Sequence, residues 1–148
     1  MSLEGKTFIT TVSAQKSERF RSVFSPLGAT LIDFPMTDIR EAVFTPAIED
    51  ALFHLEQYEW VIFTSGHGVS HFIDLWNKVY PATRLPGLLR FAVVGKATAE
   101  RLVEAGYRAD YISIGQTGED LAEELLANGM LRGCFVLLAL GNLASDTL

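Results

Sequence analysis

Val61-Ile62-Phe63-Thr64-Ser65-Gly66-His67-Gly68-Val69-Ser70-His71-Phe72 is the stretch that decides the fold. Its apolar start has the composition of a strand buried on both faces. The strand stops at Thr64-Ser65-Gly66, a hydroxyl-and-glycine turn. Val69, Phe72, Ile73 and Trp76 then recur at helical spacing. A strand that turns straight into a helix aims the helix's unpaired first N–H groups, and the positive end of its dipole, at one spot. Anions bind at such spots.

The same alternation extends outward on both sides. Upstream, Thr7 to Val12 reads as a strand and Ser13 to Leu27 as a helix. Phe20, Val23, Phe24 and Leu27 give that helix an apolar stripe, and Gly28 stops it. Thr30 to Phe34 reads as a second strand, closed by Pro35. Met36 to Phe44 is broken and polar, which suggests a linker. Thr45-Pro46 starts a helix with Pro at its first position and Ile48, Leu52 and Leu55 on the buried face.

Downstream, Glu59 to Phe63 reads as a strand and Ser65 to Asn77 as the helix after it. Phe91 to Val94 is a strand, Lys96 to Ala105 a helix capped by Gly106, and Ala109 to Ile114 a strand. Thr117-Gly118-Glu119-Asp120 has capping-box spacing and opens a helix to Asn128, stopped by Gly129. Cys134 to Leu140 reads as an apolar strand and Gly141-Asn142-Leu143 as a further helix start. Alternating strands and helices with short turns specify a parallel sheet covered on both faces.

Composition narrows the function. The chain has 148 residues, 49% of them hydrophobic, so it fits one ordinary domain or two small ones with a real core. Its formal charge of −6 argues against nucleic acid, and it has no Lys/Arg cluster for an anionic membrane. The single cysteine, Cys134, excludes a disulfide framework and a cysteine zinc site, and reads as a buried strand residue. The first residues lack the pattern of a signal peptide, and no apolar run is long enough to span a bilayer. A cytoplasmic location is expected.

Motif spacing excludes more. There is no Gly-rich loop ending in Gly-Lys-Ser/Thr and no Gly-x-Ser-x-Gly elbow. Gly66-His67-Gly68 supplies two glycines of a dinucleotide fingerprint, but the third position is His71. Strand ends carry Thr10-Thr11 and Thr64-Ser65 where a receiver domain needs acidic residues for Mg²⁺. His67 and His71 have a spacing that metal ligands use, yet no third ligand follows, and solvent-facing or locally bonded histidines fit better. Asp38 and Glu41 read as part of a solvated segment.

The turns themselves are the candidate site. Thr10-Thr11, Thr64-Ser65-Gly66, Gly95-Lys96-Ala97-Thr98 and Gly141-Asn142 all follow strands, at the edge where open α/β sheets take ligands. Each turn taken alone reads as a helix cap ahead of a ligand site. Together, on one edge, they favour a neutral, donor-rich ligand groove, and they do not identify the ligand.

Four pieces of the chain carry a family resemblance. Val61-Ile62-Phe63-Thr64-Ser65 with the following Gly-His-Gly-Val resembles the strand-turn motif of uroporphyrinogen-III synthases. Phe91-Ala92-Val93-Val94-Gly95-Lys96-Ala97-Thr98-Ala99, closing at Glu104-Ala105-Gly106, is similar to that family's Val-Gly-x-x-Thr-Ala segment. Thr117 to Ala122 and Leu137 to Leu148 resemble the two elements after it.

The resemblance implies closure of linear hydroxymethylbilane to uroporphyrinogen III, with the last pyrrole ring inverted and water lost. It implies no metal or organic cofactor, and many substrate carboxylates held by backbone N–H groups. By motif position Ser65 and Thr98 would face the ligand, with Gly66 and Gly95 lending backbone. Thr64, Gly141 and Asn142 join them from the turn reading. No catalytic residue is assigned.

The resemblance also implies a longer chain, whose C-terminal part completes the first domain and carries a tyrosine placed near ring closure. Many members show Thr-Arg-Pro after the first strand, where this chain has Thr10-Thr11-Val12-Ser13.

The expected architecture is α/β, with two flavodoxin-like parallel-sheet domains joined by a hinge and the first one incomplete. Residues 1–35 would form the partial first domain, 36–44 the hinge and 45–148 the second domain. Uncovered sheet edges in the first domain would allow self-association. The alternative function is a non-catalytic α/β binding or interaction module, or an inactive fragment of the synthase.

Overall fold

The computed structural model describes residues 2–36 and 43–141, except for the Gln15 side chain. Asn142, the helix start at Gly141-Asn142-Leu143 and most of the expected linker therefore lie outside the described residues, apart from Gly141 itself. The chain divides into two compact units, Met1–Glu41 and Ala42–Leu148.

In the first unit, β1 (Thr7–Thr10) and β2 (Thr30–Asp33) pair in parallel, with Thr7 opposite Thr30 and Thr10 opposite Asp33. Between them runs α1 (Ala14–Phe24). The expected helix to Leu27 changes character early. Pro26 cannot continue an α-helix, so Ser25–Leu27 tighten into a 3₁₀ turn, and Gly28 ends it at φ 84°.

The apolar stripe of α1 is not buried as expected. Phe24 meets Phe8 at 4.9 Å, but Phe20, Val23 and Leu27 are exposed. Two strands and one helix supply only a single covered face, so Ile9, Ile32 and Phe34 are exposed as well. Among the described side chains of this unit, Ser17 alone is buried. Its hydroxyl donates to Asp33 and accepts from Thr10, while Arg21 pairs with the same carboxylate. Ser17 foremost, then Arg21, holds the Asp33 carboxyl below the usual range.

The second unit is better covered. It contains α2 (Pro46–Phe53), β3 (Trp60–Phe63), α3 (Gly66–Val79), β4 (Arg90–Val94), α4 (Lys96–Glu104), β5 (Tyr111–Ser113), α5 (Gly118–Ala127) and β6 (Val136–Leu138). The four strands are parallel in the order β5-β4-β3-β6.

Strand alternation sorts the core into two layers. Val61, Phe63, Phe91 and Val93 pack with Val69, Phe72 and Trp76 of α3, Ala99 and Leu102 of α4, and Leu52 and Leu55. Trp60, Ile62, Ala92 and Val94 pack on Leu121 and Leu125 of α5. Each fully buried side chain of this size contributes about 2 kcal/mol. The sheet is thus doubly wound, as the apolar strands required.

Two expectations fail at β6. Cys134 was expected to be a buried strand residue but lies half-buried in the turn before β6, its thiol 3.5 Å from the Met130 carbonyl. The strand itself is shorter than Cys134 to Leu140, and it stands at an edge of the described sheet with Leu138 exposed.

Candidate functional site

The chain runs from β3 to β4 to β5 in one direction, then β6 returns to the far side of β3. The strand order therefore reverses between β3 and β6, the place where open α/β sheets generally take ligands at the carboxyl ends of their strands. Register places the turns side by side there, because Phe63 stands opposite Val93 and Ile62 opposite Leu138.

The β3 turn is drawn tight. Ser65 is the N-cap of α3, and its hydroxyl accepts the Gly68 N–H at 3.2 Å. The first intrahelical bond runs from Val69 N–H to the Ser65 carbonyl. Gly66 and His67 are left in the half-turn whose N–H groups have no intrahelical acceptor. Gly68 is a glycine for space: a Cβ there would come within 2.9 Å of the Ala139 carbonyl oxygen, which keeps the head of α3 against the end of β6. Arg101 of α4 adds a tie, donating to the Ser70 hydroxyl at 2.7 Å, which in turn donates to the Gly66 carbonyl at 3.1 Å.

The β4 turn is more open. Gly95, the N-cap of α4, sits at φ 76°, ψ 158°, a conformation reserved for glycine, and has no side chain to cap the helix. The first intrahelical bond comes from Ala99 N–H to the Gly95 carbonyl. Neither α3 nor α4 carries an acidic residue in its first turn. Lys96 is largely exposed at the head of α4. The edge is therefore neutral to positive on a chain of net charge −6.

Of the residues expected at the site, Ser65 and Gly141 are exposed, and Thr64, Gly66 and Gly95 are half-buried at this edge. Thr98 stands in the first turn of α4 with its side chain buried, 5% exposed. What it offers the edge is its N–H. Asn142 lies outside the described residues. Thr10 and Thr11 belong to the other unit.

The β5 turn is of a different kind. Glu124 accepts from the Tyr111 hydroxyl at 2.9 Å, the Ser113 hydroxyl at 3.0 Å, the Ile114 N–H at 3.1 Å and the Gly115 N–H at 2.9 Å. These donors, the Gly115 N–H foremost, hold its carboxyl below the usual glutamate range. Asp120 accepts the Gln116 and Thr117 N–H groups at 2.9 and 3.0 Å and completes the capping box. The Thr117 hydroxyl, with those N–H groups, depresses its pKa too. Glu124, which ties this turn together, is a residue that sequence reading missed. Beside Glu123 on a polar helix face it carries no local signal.

Fold and edge together define a doubly wound α/β protein with two helix heads, those of α3 and α4, at the carboxyl edge of its sheet. The family model described as "Uroporphyrinogen-III synthase HemD" matches residues 18–148, and the chain belongs to that family. A uroporphyrinogen-III synthase of Synechococcus elongatus is 29% identical over 128 residues, which cover 82% of this chain and 46% of that one. A porphyrin biosynthesis protein HemD of Ruminiclostridium josui is 24% identical over 74% of this chain and 22% of its own. The chain thus spans less than half the length of these relatives. Two crystal structures of the uroporphyrinogen III synthase of Thermus thermophilus, one wild-type and one a mutant, share the fold. Their TM-scores are 0.53 and 0.64 at 19% and 21% identity, each over about nine-tenths of this chain and 60% of theirs.

Proposed function

We propose that the chain performs, as part or whole of its protein, uroporphyrinogen-III synthase chemistry. Hydroxymethylbilane is cyclised to uroporphyrinogen III, with the last ring inverted and water lost. Residues 1–35 serve as a partial first domain, 36–44 as the hinge and 45–148 as the second domain. The substrate's carboxylates are held along the edge formed by Thr64, Ser65, Gly66, Gly95, Thr98, Gly141 and Asn142.

One observation supports this above the rest: the heads of α3 and α4 stand side by side at the carboxyl edge of the sheet with no acidic residue in their first turns. A polyanionic ligand gains the donors and both helix dipoles there. The electron-rich pyrrole itself expels the hydroxyl. The protein's part is to fold the chain of rings so that its ends meet, and to balance charge. No helix among the described residues is long and apolar enough to cross a membrane. A cytoplasmic setting accords with that and with a substrate of this polarity.

The test is direct. Purified chain is mixed with hydroxymethylbilane and the product isomers are separated. Isomer III supports the reading. Isomer I alone, the spontaneous product, removes the activity from this chain.

A second reading has its own support. The exposed Ile9, Ile32 and Phe34 of the first unit suit a non-catalytic module, or an inactive part of a synthase, that pairs with another chain. Mass by size exclusion decides it, since a clean monomer leaves self-pairing without basis.

A further inference from the structure

The turn after β5 is chemically a carboxylate cradle, and it is already full. Four consecutive N–H groups, Ile114 to Thr117, point at two carboxylates of α5. Two hydroxyls, from Tyr111 and Ser113, complete the set around Glu124. Gly115 is fitted to this arrangement, because a Cβ there would lie 2.2 Å from the Asp120 Cβ. Its φ is not in the left-handed region, so space alone demands the glycine.

We propose that Glu124 and Asp120 are resident carboxylates that deny the β5 turn to an incoming polycarboxylate, and so fix which loops of the edge the ligand occupies. This rests on the reading of the edge as a carboxylate cradle. Donors that already serve an ionised acceptor give a second carboxylate nothing. Two ionised carboxylates at one spot also repel. The ligand is thereby confined to the turns after β3 and β4 and kept off the outer strand, β5. Glu124 is a positioning residue that touches no substrate.

Acetate is the probe. It is titrated into the full chain as wild type, Glu124→Ala and Glu124→Gln, while the Ile114 and Gly115 amide resonances and the melting temperature are followed. The wild type should be silent at these amides. Glu124→Ala leaves a carboxylate-sized space lined by four donors. Its amides should shift saturably, with acetate bound about tenfold tighter than by wild type, as for one charge-assisted hydrogen bond. Its melting temperature should recover with acetate and not with chloride at equal ionic strength.

Glu124→Gln fills the space and should stay silent. If Glu124→Ala is unfolded alone, acetate should refold it. A folded Glu124→Ala that ignores acetate, an unfolded one that acetate does not restore, or a wild type that responds at Ile114 and Gly115 overturns the proposal. Isomer analysis is independent of this titration. Rescue without isomer III therefore removes only the synthase reading, and isomer III without rescue removes only this one.

Discussion

After β4 the chain turns through Gly95 into α4 with no side-chain acceptor on the helix head, and after β5 it turns through Gly115 and Thr117 into α5 with carboxylates on four successive N–H groups. The two turns leave neighbouring strands of one sheet, and both present backbone donors at its carboxyl edge. One leaves its helix head without a side-chain cap, and the other has spent its donors on its own acids. A βα turn is therefore not a site by virtue of its position. What separates the turns is whether the helix that follows brings its own acids: α3 and α4 carry none in the first turn, and α5 carries Glu119 and Asp120.

The sharpest way to break the comparison is to substitute its two glycines. Gly115→Ala puts a methyl group within 2.2 Å of the Asp120 Cβ, and backbone must move to admit it. The expected loss is about 3 kcal/mol, read as a lower denaturation midpoint. Gly95→Ala meets nothing within 4 Å, so strain at φ 76° is its only cost, about 2 kcal/mol. If Gly95→Ala proves the worse of the two, the β4 turn is packed rather than open and the contrast fails.

Much of this was legible beforehand, and the parts that were not have physical reasons. The alternation of strands and helices followed from period and punctuation. Gly28, Gly106 and Gly129 all stop helices at positive φ. The capping box at Thr117 followed from spacing alone. The strand order was not legible: β6 beside β3 goes with α5 packing on Trp60, Ile62, Ala92 and Val94, and an apolar helix stripe does not say which face it will cover. The stripe of α1 misled because periodicity promises an apolar face, not a partner for it. Pro26 was the overlooked local signal for the 3₁₀ turn. The donor-rich edge was visible as residue types, yet that Thr98 turns inward and that Glu124 closes the next turn are tertiary facts.

The caps sharpen the comparison at smaller scale. Thr117→Ala removes an acceptor for the Asp120 N–H and breaks a reciprocal box, for about 1 kcal/mol. Ser65→Ala removes a single 3.2 Å bond to the Gly68 N–H, and its cost should be the smaller by roughly a few tenths of a kcal/mol. Paired chemical denaturation of the two variants measures the difference. Equal costs would mean that the box adds nothing beyond its cap.

The smallest expected effect is local and appears only in acid. Glu124 and Asp120 both titrate below their ordinary values, because backbone and hydroxyl donors favour the ionised form. The stability they add is present above the ordinary carboxylate range and is lost as pH falls through the depressed values. Protection factors for the amides of Ile114 to Thr117 should therefore hold from neutrality down to about pH 4 and fall below it. Those of Lys96 to Thr98, at a helix head with no acid in its first turn, should show no such step. Tyr111 runs the other way. Glu124 raises its pKa, so its hydrogen bond persists through mild alkali and is lost only as pH climbs past its raised value, above about 10. A flat acid profile at Ile114 to Thr117 would mean that the carboxylates do not hold this turn, and the two turns would then be alike after all.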